Sequence, residues 1–105
     1  MEAEELKGHL DALILAILAA GPSHGYAIIE QLKQRSGGDL QLPEGTVYPA
    51  LHRLERDGLL ASDWSRDSGR RRRVYRLTDL GTRELGERRV RWRRFTATID
   101  SVLAV

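Results

Sequence analysis

The chain has 105 residues, 41% hydrophobic and 30% charged, which suits one globular domain with an appended element and is too balanced for disorder. It has no cysteine, which excludes disulfides and thiolate metal sites, and His9, His24 and His52 have no second ligand at metal-site spacing, so no metal is expected. Net charge is only +2, yet residues 70–94 hold eleven of the seventeen basic residues, all arginine, against three acids. Concentrated arginine is the footprint of a polyanion partner, although a solvated helical face would read the same way. The start Met1–Glu5 is acidic where a signal peptide is basic, and the apolar run 10–20 is shorter than the roughly 20 residues of a membrane span. A cytoplasmic protein without membrane contact is expected.

Leu6, Leu10, Leu13, Ile14, Ile17 and Leu18 follow helical spacing and predict a first helix over about 6–20, stopped by Gly21-Pro22. Ser23 is positioned to cap a second helix over about 24–35 that turns Ile28, Ile29 and Leu32 inward. A short loop through Leu42 leads to a third helix that opens at Pro43 and ends near Asp57, with Val47, Leu51 and Leu54 as its core stripe. Pro49 falls inside it and is tolerable if it lies close to the first turn. Leu59–Ser65 and Arg72–Leu77 read as strands joined by a charged turn over 66–71. Thr78 then caps a long helix to the end of the chain, with Asp79 at the favourable end of its dipole. The expected fold is mainly α (α+β), a winged helix-turn-helix with one long C-terminal dimerisation helix. Its units are 1–77 for DNA binding and 78–105 for dimerisation.

In a helix-turn-helix the second helix reads the major groove with its outward face. Here that face carries Gly45, Thr46, Pro49, His52, Arg53 and Arg56, with Tyr48 on its flank. The small residues at its start let the duplex approach, and its free N–H groups suit a phosphate. Four consecutive arginines, Arg70 to Arg73, follow the turn glycine. Strand alternation forbids all four from facing one way. Arg70 and Arg71 are the candidates for phosphate or minor-groove contact, while Arg72 and Arg73 can cover the sheet with their aliphatic stems. A basic hairpin beside a helix-turn-helix favours double-stranded DNA over a merely solvated surface.

The stretches Ser23-His24-Gly25-Tyr26-Ala27-Ile28-Ile29, Pro43-Glu44-Gly45-Thr46-Val47-Tyr48-Pro49-Ala50-Leu51-His52-Arg53-Leu54-Glu55-Arg56-Asp57-Gly58-Leu59-Leu60 and Arg71-Arg72-Arg73-Val74-Tyr75-Arg76-Leu77-Thr78-Asp79-Leu80-Gly81 resemble, in order and spacing, the PadR family of bacterial regulators. The single closing helix resembles that family's short subfamily. The resemblance implies a dimeric winged-helix repressor, often released from its operator by a small aromatic or drug-like molecule.

Along the closing helix Leu85, Trp92 and Ile99 recur every seven residues, with Phe95 and Val102 three beyond the last two. That is a heptad seam, interrupted by Arg88, and it is the candidate homodimer interface. The alternative folds it back on the first helix of its own chain. Trp92, midway along, is also the candidate ligand-binding residue, since a drug-binding member of the family stacks flat ligands on a tryptophan at the matching position. Thr96 and Arg89 stand here where that member has an acid and an aromatic, so an anionic or neutral aromatic effector is expected rather than a cation. No acid, base and nucleophile are grouped, so no catalytic residue, cofactor or enzyme activity is expected. The leading function is a sequence-specific homodimeric repressor acting on an inverted-repeat operator. The alternative is a DNA-architectural or protein-interaction module that senses no ligand.

Overall fold

The computed structural model describes every residue except Glu2, Lys7, Ser68 and Val105, and every side chain but those and Ala3, Glu4 and Asp67. Its elements are α1 (Ala3–Leu6), α2 (Leu10–Ala19), β1 (Ser23–His24), α3 (Gly25–Arg35), α4 (Glu44–Arg56), β2 (Leu60–Asp67), β3 (Arg70–Leu77) and α5 (Asp79–Leu103). The sheet is antiparallel in the order β1-β3-β2. This is the winged helix-turn-helix with a long C-terminal helix that the sequence predicts.

The core lies where α2, α3, α4 and the inner face of the hairpin meet. Ile14, Leu15, Ile28, Val47, Leu51 and Leu54 are buried to 1% exposure or less, with Tyr75 and Leu60 closing the sheet side. Burying each large aliphatic side chain contributes about 1.5–3 kcal/mol before entropy is counted. The predicted stripe of α4, Val47, Leu51 and Leu54, therefore faces inward, joined by Ala50. Burial also pushes the Tyr75 phenol pKa up.

Several boundaries differ from the sequence reading. The first helix is broken at Gly8, whose φ of +84° is left-handed, so Leu6 belongs to α1 and not to α2. Ser23 does not cap the second helix. His24 does, its Nδ1 accepting from the Ala27 N–H at 3.3 Å, while Ser23 and His24 pair with Tyr75 and Val74 as β1. An N-cap is extended, so one residue can end a strand and cap a helix. Pro49 lies beyond the first turn. Its missing N–H leaves the carbonyl of Gly45 without an i+4 amide, on a face open to solvent.

The hairpin is longer than expected. Residues 66 and 67 extend β2, and Arg70 and Arg71 begin β3, with Asp67 opposite Arg70 and Arg66 opposite Arg71. Gly69, at φ +78°, reverses the chain so sharply that no six-residue turn is needed. The expected turn residue Ser68 lies outside the described residues.

The start of α5 is fastened to the winged domain. Thr78 Oγ1 accepts from the Gly81 N–H at 3.0 Å and donates to the Gly58 carbonyl at 2.7 Å, and the Thr78 N–H reaches the Leu59 carbonyl at 3.2 Å. Leu85, expected in a seam between subunits, is buried at 3% exposure in its own chain, because the first turns of α5 pack on α2. Beyond them α5 projects from the domain, giving the molecule extents of 57 × 29 × 20 Å.

Candidate nucleic-acid interface

Helix α4 is the second helix of the helix-turn-helix, and its outer face is open. Gly45, Thr46, Pro49, His52 and Arg56 are all exposed, and the helix starts at Pro43 without a side-chain cap, so its first N–H groups are available to an anion. Tyr48 is different. Its ring lies against Gly25 at the start of α3, so closely that a Cβ on Gly25 would sit 2.6 Å from Tyr48 Cζ. Glycine at 25 is therefore what lets the two helices of the motif approach.

Arg53 points away from α4 toward α2, where its Nη1 and Nη2 donate to the two carboxylate oxygens of Asp11 at 2.6 and 2.9 Å. The pair is partly exposed, 42% for the arginine and 20% for the aspartate. The Asp11 hydrogen bonds, and secondarily its charge, hold the arginine proton more firmly than usual. Arg53 is therefore held in a structural contact while its side chain stays partly exposed.

The wing is tied to α4 by a polar chain that sequence reasoning missed. Ser62 Oγ donates to Glu55 Oε2 at 2.6 Å and accepts from Arg73 Nε at 2.7 Å, and Arg73 lies 3.8 Å from the same carboxylate. Alternation sends Arg71 and Arg73 to this face, while Arg70 and Arg72 take the other. There Arg72 Nη1 lies 2.8 Å from His24 Nε2. Arg72 and Arg73 are half-buried by these contacts, whereas Arg70 and Arg71 are exposed. Trp64 shares the face of Arg71 and Arg73, which lie 4.4 and 5.2 Å from its ring centroid. None of these links had a local sequence signal beyond strand period, since their partners come from different elements.

Along α5, Trp92, Phe95, Ile99 and Val102 are exposed at 50%, 55%, 40% and 72%, a continuous apolar stripe past Leu85. The His9 ring, at the start of α2, meets the Trp92 edge-to-face at 5.1 Å, and Phe95 lies 6.0 Å from it. Where the stripe begins, Glu84 bonds Arg88 at 2.8 Å and Arg91 at 3.4 Å. The Arg88 hydrogen bond, aided by both arginine charges, holds its carboxyl below the usual glutamate range.

Among the described residues no group of three or more His, Cys, Asp or Glu could hold a metal ion, and no helix is long and apolar enough to cross a membrane.

Residues 14–87 match the transcriptional regulator PadR-like family. The chain belongs to that family. It is 42% identical over 76 residues to a transcriptional regulator of Mycobacterium tuberculosis, covering 72% of this chain and 68% of that one. Among solved structures, a PadR family transcription regulator from Clostridium difficile matches with a TM-score of 0.83 at 36% identity, over 91% of this chain and 99% of that one. A transcriptional regulator from Clostridium thermocellum matches with a TM-score of 0.87 at 27% identity, over 94% and 97%. PadR family membership makes the chain a transcriptional regulator of the DNA-binding, winged-helix kind. The match ends at residue 87, so the apolar stripe of α5 lies beyond it.

Proposed function

We propose that this PadR-family protein is a homodimeric repressor that binds an inverted-repeat operator and releases it on binding a small anionic or neutral aromatic molecule. The observation that carries the DNA reading is the exposed face of α4, Gly45, Thr46, Pro49, His52 and Arg56, set beside a wing presenting Arg70 and Arg71. A basic hairpin held against a helix with an open N-terminus suits phosphate on two sides of one groove. Tyr48 flanks that face, and Arg53 stays partly exposed beside it.

The dimer reading is supported by the stripe Trp92, Phe95, Ile99 and Val102, too long for the domain of its own chain to cover. Residues 1–77 would bind DNA and 78–105 would join subunits, with Leu85 contributing from inside the core. Half-site centres should then lie about one helical turn, or a multiple, apart.

The test is selection of bound duplexes from a random pool, repeated with planar aromatic acids, neutral aromatics and cations present. An enriched inverted repeat, depleted by an acid or neutral aromatic, supports the whole reading. Equal recovery of all sequences refutes specific repression and favours an architectural role. Enrichment unaffected by any compound refutes effector release alone.

A further inference from the structure

We propose that Trp64 is a positioning residue for DNA binding, its indole holding the Arg71 guanidinium at the wing where it meets a backbone phosphate. The proposal rests on the DNA-binding reading above and adds to it a residue outside the helix-turn-helix and outside the arginine run. Three observations carry it.

First, Trp64 is 54% exposed, on a strand flanked by polar residues, so burial does not explain an indole there. Second, the ring lies within cation–π distance of two arginines from the neighbouring strand. Arg73 is directly opposite it in register, and Arg71 is the diagonal neighbour, closer at 4.4 Å. Third, the two arginines are not equivalent. Arg73 is already engaged by Ser62 and Glu55, which fix it to α4, while Arg71 is exposed near the tip. The chain of neighbours Glu55, Ser62, Arg73, Trp64, Arg71 therefore refers an exposed arginine to the helix that enters the groove.

An arginine that is free in solution loses rotamer freedom when it takes a phosphate. Contact with the Trp64 ring removes part of that freedom beforehand while Arg71 stays exposed. Arg70, on the opposite face, has no indole on its side of the sheet among the described residues and serves as the internal comparison.

The experiment measures affinity of the full-length protein for a selected duplex by fluorescence anisotropy across a salt series. It compares Trp64→Ala, Trp64→Phe, Trp64→Leu, Arg71→Ala, Arg70→Ala and the double variant Trp64→Ala/Arg71→Ala. Trp64→Ala should weaken binding about three- to tenfold without changing sequence preference, and Trp64→Phe should retain most of the affinity. Both Trp64→Ala and Arg71→Ala should reduce the salt slope by about 0.9 for each phosphate that is no longer neutralised. In the double variant Arg71→Ala should add less than it costs alone, because without the indole Arg71 holds its phosphate less well. Effects that simply multiply would overturn the proposal and assign Trp64 its own DNA contact or a folding role.

If Trp64→Ala fails to fold by thermal melt, Trp64→Leu decides. It keeps apolar bulk and removes the π face, so weakened binding with a lower salt slope supports the proposal and unchanged binding overturns it. Arg70→Ala separates this proposal from the reading beneath it. If Arg70→Ala weakens binding while Trp64 and Arg71 act independently, only the role of Trp64 fails. If the wild-type protein binds no duplex, both fail.

Discussion

Arg53 of α4 grips Asp11 of α2 with both terminal nitrogens, at 2.6 and 2.9 Å, across 42 residues of sequence. Bidentate pairing fixes the plane of the guanidinium, so the partly exposed Arg53 side chain has a set direction relative to α4. Because the pair is partly exposed, its worth is limited to about 1 kcal/mol after solvent screening.

Asp11→Asn keeps the shape and removes the charge. The expected outcome is a melting temperature lower by a few degrees, since about 1 kcal/mol corresponds to about 4–8 °C in a domain of this size. The released arginine adds net positive charge near the groove, so affinity for random DNA should hold or rise while discrimination between selected and random duplexes falls. Differential scanning fluorimetry and competition binding measure the two effects. Loss of stability with unchanged discrimination would make Arg53 a structural residue only.

Two glycines should resist substitution for different reasons. A Cβ on Gly81 would lie 2.1 Å from the Leu59 carbonyl oxygen, a backbone atom that cannot swing aside. Gly81→Ala should therefore cost about 1–3 kcal/mol, the range for overpacking, and no partner change should rescue it. The three atoms nearest a Cβ on Gly25 all belong to the Tyr48 side chain, so Gly25→Ala should be destabilising alone and much less so with Tyr48→Ala. Denaturant melts of the single and double variants decide this.

Such contacts explain what is legible in the sequence. Helices with a one-sided apolar stripe, such as α4 with Val47, Leu51 and Leu54, announce themselves through period and caps. So does Thr78 as the cap of α5. The two-residue strand β1 has no period to detect, and its residue His24 caps a helix with a side chain outside the usual capping set. The hairpin exceeds its sequence signal because four arginines resemble a loop by composition, whereas Gly69 and pairing with β2 hold them in a strand. The outward face of α4 is readable from helical geometry alone. Leu85 falls on the heptad of Trp92 and Ile99, and only the packing of α5 on α2 assigns it to its own chain. Asp11, Glu55, Ser62 and Trp64 reach their partners through the fold, so nothing local marks them.

Assembly is tested by Phe95→Glu. Phe95 is 55% exposed in the single chain, so the substitution should leave the winged domain folded. In a dimer seam it buries an unpaired charge, which is strongly unfavourable. The expected result is a folded monomer by light scattering with much weaker operator binding. Truncation after Glu87 should behave alike, because it spares Leu85 and the residues of the family match. A dimer that survives both changes lies on another surface.

Glu84 gives an acid-side prediction. Its folded pKa is lowered from the ordinary value of 4.5, chiefly by the Arg88 hydrogen bond. A lowered folded pKa means the stabilisation is present above the unfolded value and is lost as pH falls through the folded one. Wild-type melting temperature should therefore drop below about pH 4.5 partly through this residue. Glu84→Gln should start lower at neutral pH and fall less steeply, the two curves converging in acid. Parallel curves over the whole range would show that the Glu84 pairs do not stabilise the fold.

The final prediction concerns Trp92. His9 meets its ring at 5.1 Å and Phe95 lies 6.0 Å away, so the indole is held from two sides while remaining half exposed. Across a dimer axis a planar molecule stacked there would lie near Arg88, Arg89 and Arg91, which keep a net positive charge after Glu84 pairs with Arg88 and Arg91 and so favour aromatic carboxylates over cations. Stacking should quench indole emission. Because Trp64 also emits, the measurement uses Trp64→Phe, which leaves Trp92 as the single reporter. Saturable quenching by a planar acid or neutral aromatic, accompanied by operator release in the same concentration range, is the expected outcome. His9→Ala should shift the midpoint, since it removes one wall of the ring's surroundings. If no compound quenches saturably, or quenching leaves DNA affinity unchanged, Trp92 serves only to join subunits and the operator is governed by how much protein is present.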